Sequence, residues 1–423
     1  MDYQLSFKPF SSAYEDLTDP HNDFVNYFFS IELANFRPII NQTYTGSGPT
    51  GYGISLILSR ILKVKEIIFS DRILADRLAQ NATYRAVCLM QKGQTPAHNS
   101  FTTLRSRLGV EGFRQIHRNF VYQAHQLKLL DPGLPGLPKN RRKGIILIGD
   151  STFNVAYCST KGTKRADGSW LFTDPTVAFG RPHHKYRYPV GHKVHTIMSI
   201  TGIPLVSILT SADVHDQTII FKLLDELCNM YPDLTFAYII LDRGYDTEEI
   251  HRNIYEQYKI IPIIIRKKMT YPKQFTKLGF PKCPFGYVMK KKVVDHNRKR
   301  TKFCCEKICS KKPKSQENFF ECDIIKLEHP HGLVSYTHFK DSYRKFGPAL
   351  PNSIIYKHLK PYRTAIEREY GLVKENRYRM SYTNTYTGIN NVLIHVIEHD
   401  ITLTQDIIFA FKKYGQISPF IKT

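Results

Sequence analysis

Two short aliphatic runs, GIILIGD and FAYIILD, each close on an aspartate, Asp150 and Asp242. Runs this short and this continuously apolar suit strands buried on both faces, because a strand covered on one side alternates. Around them lie GHKVHTIMSI and PLVSILTSA, two β-rich runs joined by a tight turn at Thr201 to Pro204, and the run KIIPIIIR. Helical spacing intervenes from Asp216 to Tyr231, where Ile219, Ile220, Leu223, Leu224 and Leu227 recur, and again in EEIHRNIYEQY. Three strands, a helix, a strand, a helix and a strand predict a mixed α/β layer with helices packed on a central sheet. Strand ends deliver side chains to one sheet edge, where open α/β folds place their sites. Asp150 and Asp242 are therefore candidates, although a strand-end aspartate also serves as a turn former, and D-R-G-Y-D suits a turn.

Upstream, Ile54 to Leu130 reads as helical, with Ile54, Ile57, Leu58, Ile61 and Leu62 falling on one face. Ser70 is a good N-cap for a helix from Asp71 to Leu78. After a break at Gly93 to Pro96, the stretch NSFTTLRSRLG offers Asn99 or Ser100 as the cap of a helix bearing Arg105 and Arg107. Two short helices around a turn, the second carrying arginines, fit a helix-turn-helix DNA reader; a plain helical bundle with solvated arginines fits equally. DPGLPGLPKNRRK, from Asp131 to Lys143, reads as a linker, since its prolines and glycines oppose both helix and ladder. The expected organisation is a helical DNA-binding domain over 1–130, a linker over 131–143, an α/β domain over 144–268 and 353–423, and a basic, cysteine-bearing insertion over 269–352.

The formal charge is +23 and the pI near 9.5. Such an excess repels itself in a compact fold and is best tolerated where a polyanion supplies the counter-charge. Nucleic acid leads as partner, ahead of an anionic membrane surface or plain solubility. Within Lys282 to Lys314, twelve Lys or Arg face only Asp295 and Glu306. The start lacks a basic region followed by an apolar stretch, so no secretory signal is expected. No apolar run nears the ~20 residues of a membrane span, and a cytoplasmic, nucleoid-associated protein is expected. Cys88, Cys158 and Cys228 stand alone, as buried free thiols of a reducing compartment do.

A third acid comes from YRTAIEREYGLVK. On a helix at ~100° per residue, Arg363, Glu367, Tyr370 and Lys374 share one face, while Glu369 points away. Taken alone, the segment reads as a surface ion-pair ladder. The set of motifs, however, resembles the DDE transposases of bacterial and archaeal insertion sequences. The likeness rests on GDST around Asp150, on the block GHKVHTIMSITGIPLVSILTSADVHDQ, on LDRGYD around Asp242, and on R-x3-E-x6-K at Arg363, Glu367 and Lys374. SDRILADRLAQN and TPAHNSFTTLRSRLG resemble that group's N-terminal helical region, and the likeness spans roughly Ile54 to Lys374 apart from the cysteine-bearing insert. One departure is Lys360, which stands where the group carries a tyrosine, with Tyr362 nearby.

The resemblance implies an RNase H-like core, cleavage and joining of phosphodiesters, and a catalytic, metal-holding triad of Asp150, Asp242 and Glu367. Two Mg²⁺ or Mn²⁺ ions would be held by these carboxylates, as hard cations prefer oxygen. Arg363 and Lys374 would contact phosphates, with Arg105 and Arg107 as further DNA contacts. The partners implied are double-stranded DNA, both the element's terminal inverted repeats and the target, and a second copy of the chain in the synaptic complex. A nuclease on the same core without strand transfer, and a catalytically inactive DNA-binding descendant, are the alternatives. No phosphate-cradling G-x4-G-K-[ST] loop and no H-E-x-x-H helix occurs. Five cysteines crowd between Cys283 and Cys322, and a structural Zn²⁺ on Cys283, Cys304 (or Cys305), Cys309 and Cys322 competes with plain free thiols.

Overall fold

The computed structural model describes residues 22–43 and 53–415, apart from 135, 139–140, 167, 169, 181–188, 285, 306–332 and 352. The principal helices before the sheet are α1 (Asp23–Phe29), α2 (Gly53–Lys65), α3 (Asp71–Gln80), α4 (Ala82–Val87) and α5 (His98–Gln126). Then come β1 (Ile145–Val155), β2 (Thr163–Lys164), β3 (Trp170–Leu171), β4 (Ala178–Phe179), β5 (Val190–Ser199), β6 (Pro204–Ser211), α6 (Asp216–Met230), β7 (Phe236–Leu241), α7 (Glu248–Glu256) and β8 (Ile261–Ile264). A separate antiparallel sheet follows, β9 (Lys290–Asp295), β10 (Arg300–Cys304) and β11 (Val334–His338). The chain closes with α8 (Ile354–Leu359), α9 (Arg363–Gly371) and α10 (Ile389–Tyr414).

The expected mixed α/β architecture is present. The main sheet runs β4-β5-β1-β7-β8 with β6 paired to β5. The β1–β7 and β7–β8 pairs are parallel, and β4–β5 and β5–β6 are antiparallel. Parallel strands carry helices on both faces, which is why Ile145 to Ile148 and Phe236 to Leu241 are buried without alternation.

The chain divides into two compact units. One comprises Met1–Pro132, Asp150–Pro232 and Ala365–Thr423; the other comprises Gly133–Gly149 and Asp233–Thr364. In the first unit α10 packs on α5, α2 and β6. That makes α10 a central helix, buried continuously from Val392 to Ile408, polar residues included. Arg60, 1% exposed, bonds Glu398 at 2.6 Å and also Asp71, whose other oxygen takes Arg105 at 2.5 Å. Burial alone would raise the Asp71 carboxyl, but the charges of Arg60, Lys63 and Arg105 outweigh it and hold the group far below the usual carboxylate range.

In the second unit α7 lies on β8, and Tyr356 of α8 donates to the Ile264 carbonyl at 3.0 Å. The basic, cysteine-bearing insertion holds the β9-β10-β11 sheet. β9 and β10 are rich in Lys and Arg, and the buried residues of the three strands are Thr301, Phe303, Cys304 and Thr337.

Several local expectations meet the structure directly. Ser70 caps α3, accepting from the Ile73 N–H. Neither Asn99 nor Ser100 caps α5: the helix starts at His98 with Ala97 as N-cap and no side-chain bond. Gly109 breaks α5 internally with φ 58°, a left-handed backbone that only glycine adopts cheaply. From Ile389 to Tyr414 the chain forms one continuous helix.

Candidate active site

Asp150 does not end its strand. The apolar run stops there, but β1 continues through Ser151, Thr152, Phe153 and Asn154 to Val155, so the aspartate sits inside an 11-residue strand. Its Oδ1 accepts the Ser151 N–H at 2.8 Å. Two bonds from far along the chain arrive beside it. The Tyr370 hydroxyl donates to the Asp150 carbonyl oxygen at 2.9 Å, and Lys374 Nζ donates to Thr152 Oγ1 at 3.1 Å. Both donors lie on the face of α9 and its continuation that carries Glu367, one turn before Tyr370.

Glu367 is exposed, whereas Glu369 is 2% exposed and inward-facing. Burial, followed by the nearby Asp400 carboxyl, raises Glu369 well above the usual carboxylate range, which favours its neutral form. Lys374 falls in a short π-helical stretch, Leu372–Asn376, that follows α9. Such bulges reset side-chain phase along a helix.

In the second unit Asp242 follows β7 directly and opens the 3-10 turn Arg243–Tyr245. Its side chain is 43% exposed, with Arg363 Nη1 at 3.8 Å. The parallel register pairs Gly149 with Leu241, and in each strand the next residue is an aspartate. The second aspartate of D-R-G-Y-D has a different part. Asp246 is buried, accepts from the Lys267 N–H at 2.7 Å and from Arg344 at 2.8 Å, and meets His251 at 3.1 Å. Desolvation would raise it, but these hydrogen bonds and the Arg266 charge hold it well below the ordinary range. Burial, then the Arg266 charge, push His251 down to about 4, so the imidazole is neutral. Asp246 thus pins the loop that presents Asp242. The repeated aspartate within that motif was the available signal for this role.

Other expected site residues lie elsewhere. Arg105 is 7% exposed, ion-paired to Asp71 and stacked over the Tyr386 ring at 4.4 Å. It has no surface to offer a phosphate, because the bundle uses its charge internally. Arg107 is exposed on α5. Lys360 is exposed at the turn before α9. Cys283 packs with Met289, Phe303 and Leu350 in an apolar cluster, and Cys304 and Cys305 are buried too. Cys309 and Cys322 lie outside the described residues. Among the described residues no group of three or more His, Cys, Asp or Glu stands close enough to hold a metal ion. Among those same residues no helix is long and apolar enough to cross a membrane.

The architecture is a mixed α/β layer with helices flanking a central sheet, with Asp150 inside β1 and tied by Tyr370 to α9. The family model for the transposase DDE domain matches residues 141–388, more than half of the chain, and the protein belongs to that family. It is a DDE transposase, a polynucleotidyl transferase with DNA as its partner, and enzymes of this family work with divalent metal ions. No curated protein sequence matches the chain. Among solved structures, it is similar to a piggyBac transposase synaptic complex with hairpin DNA, at 13% identity and a TM-score of 0.34, over 93% of this chain and 77% of that one.

Proposed function

We propose that this transposase cuts and joins DNA at the ends of an insertion sequence on an RNase H-like core, with Asp150, Asp242 and Glu367 as its catalytic carboxylates. The observation that carries the reading is the hydrogen bond from Tyr370 to the Asp150 carbonyl. It spans 220 residues of sequence and fixes the Glu367 helix against the strand of the first aspartate.

The donor set suits hard divalent cations, since all three groups are carboxylates and Asp242 and Glu367 face water. Mg²⁺ or Mn²⁺ is the inferred metal. Held by these carboxylates, such ions would supply charge stabilisation to the entering and leaving oxygens of an in-line displacement. Water is the nucleophile of the first cut, breaking a P–O bond and leaving a 3′-hydroxyl. That hydroxyl then attacks a target phosphodiester in the joining step.

The chain's cations are set for phosphate. Arg363, now against Asp242, would exchange the carboxylate for a phosphate oxygen, and Lys374, braced on Thr152, would offer a point charge beside Asp150. Arg107 would add a peripheral DNA contact. Two DNA ends must meet in one complex, so a homodimer with DNA bound is inferred. A structural Zn²⁺ on Cys283, Cys304, Cys309 and Cys322 is the weaker part of the reading. The apolar packing of Cys283 favours a buried thiol, and the zinc content of purified protein decides between them.

The test is a strand-transfer assay with the DNA that flanks the reading frame. Asp150→Ala, Asp242→Ala and Glu367→Ala should each lower cleavage by on the order of 10³-fold or more while DNA binding persists. Full cleavage by Glu367→Ala would remove that residue from the site. Cleavage without joining in the unmodified protein would favour the nuclease reading.

A further inference from the structure

The chain's sole tryptophan stands on its surface. Trp170 is 45% exposed, with Leu171 at 39% and Tyr157 at 56%, all within a short excursion between β1 and β5. Tryptophan buries more apolar area than any other side chain, and its exposure in a group of apolar neighbours marks a contact surface.

The excursion is built to hold the indole outward. β2 and β3 pair as a two-stranded ribbon, Lys164 opposite Trp170 and Thr163 opposite Leu171, and all four residues are exposed. Two steps beyond Trp170, Phe172 turns inward and joins Val177 and Val190 in a small core of its own. Phe179 presents its edge to both rings, 5.5 Å from Trp170 and 5.0 Å from Phe172. The base of the ribbon is thus anchored and the indole orientation fixed, while Trp170 itself lies outside that core. Charge names the occupant. From Ser159 to Thr173 the sequence carries Lys161, Lys164 and Arg165 against Asp167 alone, and all three cations are exposed. A flat aromatic beside lysines and arginine on a narrow ribbon matches a nucleic-acid strand, with bases stacked on the ring and phosphates on the cations.

We propose that the β2–β3 ribbon is a DNA-holding element, in which Trp170 stacks on an unpaired base and Lys161, Lys164 and Arg165 neutralise the flanking phosphates. The proposal rests on the transposase reading only for the presence of DNA strands with unpaired bases. It requires none of the catalytic carboxylates.

Because Trp170 is the only indole, its emission, excited where the tyrosines do not absorb, reports this site alone. The full-length protein, in chelator to prevent cleavage, would be titrated with fluorescein-labelled oligothymidylate of about 20 nucleotides, and separately with a duplex of equal length. Unlabelled copies of each would serve for the emission measurement. Indole emission should fall in step with the anisotropy curve for the single strand, and less for the duplex. Trp170→Ala should weaken single-strand binding by about tenfold and Trp170→Phe by only about twofold.

Binding by anisotropy with unchanged indole emission, or Trp170→Ala binding as tightly as the parent, overturns the proposal while leaving the active-site reading intact. Quenching by the duplex alone overturns the assignment to an unpaired base. Quenching on concentrating the protein without DNA overturns it in favour of a contact between copies. Absence of any DNA binding overturns both this proposal and the DNA reading.

Discussion

Arg105 and Arg107 sit two residues apart on α5 and do different work, because a helix turns them to different sides. Arg105 is enclosed and shares Asp71 with Arg60, so removing it strips a partner from a largely buried carboxylate. Breaking a buried pair costs about 3–5 kcal/mol; with Arg60 and Lys63 still present, Arg105→Ala should cost about 2–3 kcal/mol by that measure. Denaturant unfolding would show the loss, with no selective change in DNA affinity for the folded protein. Arg107→Ala should leave stability within about 0.5 kcal/mol and weaken DNA binding modestly. A reversal, with Arg105→Ala folding normally and losing DNA affinity, would return Arg105 to the DNA surface. The same residue scale shows why the sequence misled here: LRSRLG gives both arginines equal standing, and only the distant Asp71 and Tyr386 distinguish them.

Among the elements, β7 was legible as an unbroken apolar run, α6 and α7 because their apolar residues follow the helical period, and Ser70 announced α3. The extent of β1 was not, since the apolar run that announced it stops at Asp150 and the rest, STFNV, mixes polar with apolar residues. The β9-β10-β11 sheet was hidden for a similar reason, as lysines occupy positions where pattern would have shown. Of the candidate site, Asp150, Asp242 and Glu367 were singled out from strand ends, helical spacing and motif resemblance alone. The bonds from Tyr370 and Lys374 to the Asp150 region could not be, because they join residues more than 200 apart.

Helix α10 carries a consequence of burial. Asp400 is enclosed between Ser207, which donates to it at 2.8 Å, and Glu369, and burial pushes its carboxyl up to about 7. Its folded value exceeds the unfolded value of about 3.9, so the folded state holds the proton more tightly. The stability this gives is full below about pH 4 and is lost as pH rises toward 7. Asp400→Asn keeps an acceptor for Ser207 and removes the ionisation. Thermal melts should show the variant gaining on the parent by on the order of 4 kcal/mol at pH 8 relative to pH 4. Equal differences at both pH values would mean that Asp400 is already ionised in the fold.

At the scale of the whole molecule, a charge of +23 is a constant electrostatic cost that the fold carries without DNA. Part of it lies inside, on Arg60, Lys63 and Arg105, where burial leaves these cations little surface for a phosphate. The rest is distributed over separate surfaces: Lys374 beside Asp150, Lys164 and Arg165 on the β2–β3 ribbon, and the lysines of β9. Cations spread in this way bind a backbone at many points, each contact releasing condensed counterions, so affinity must fall steeply with salt. If some six to ten phosphates are engaged, raising salt from about 50 to about 200 mM should weaken DNA binding by roughly 10³–10⁵-fold. Replacing Arg105 should leave the slope of log affinity against log salt unchanged, whereas removing Lys374 should lower it by about one. A nearly flat salt dependence in the unmodified protein would mean that the excess charge does not meet the DNA backbone, and that its surfaces serve another polyanion or none.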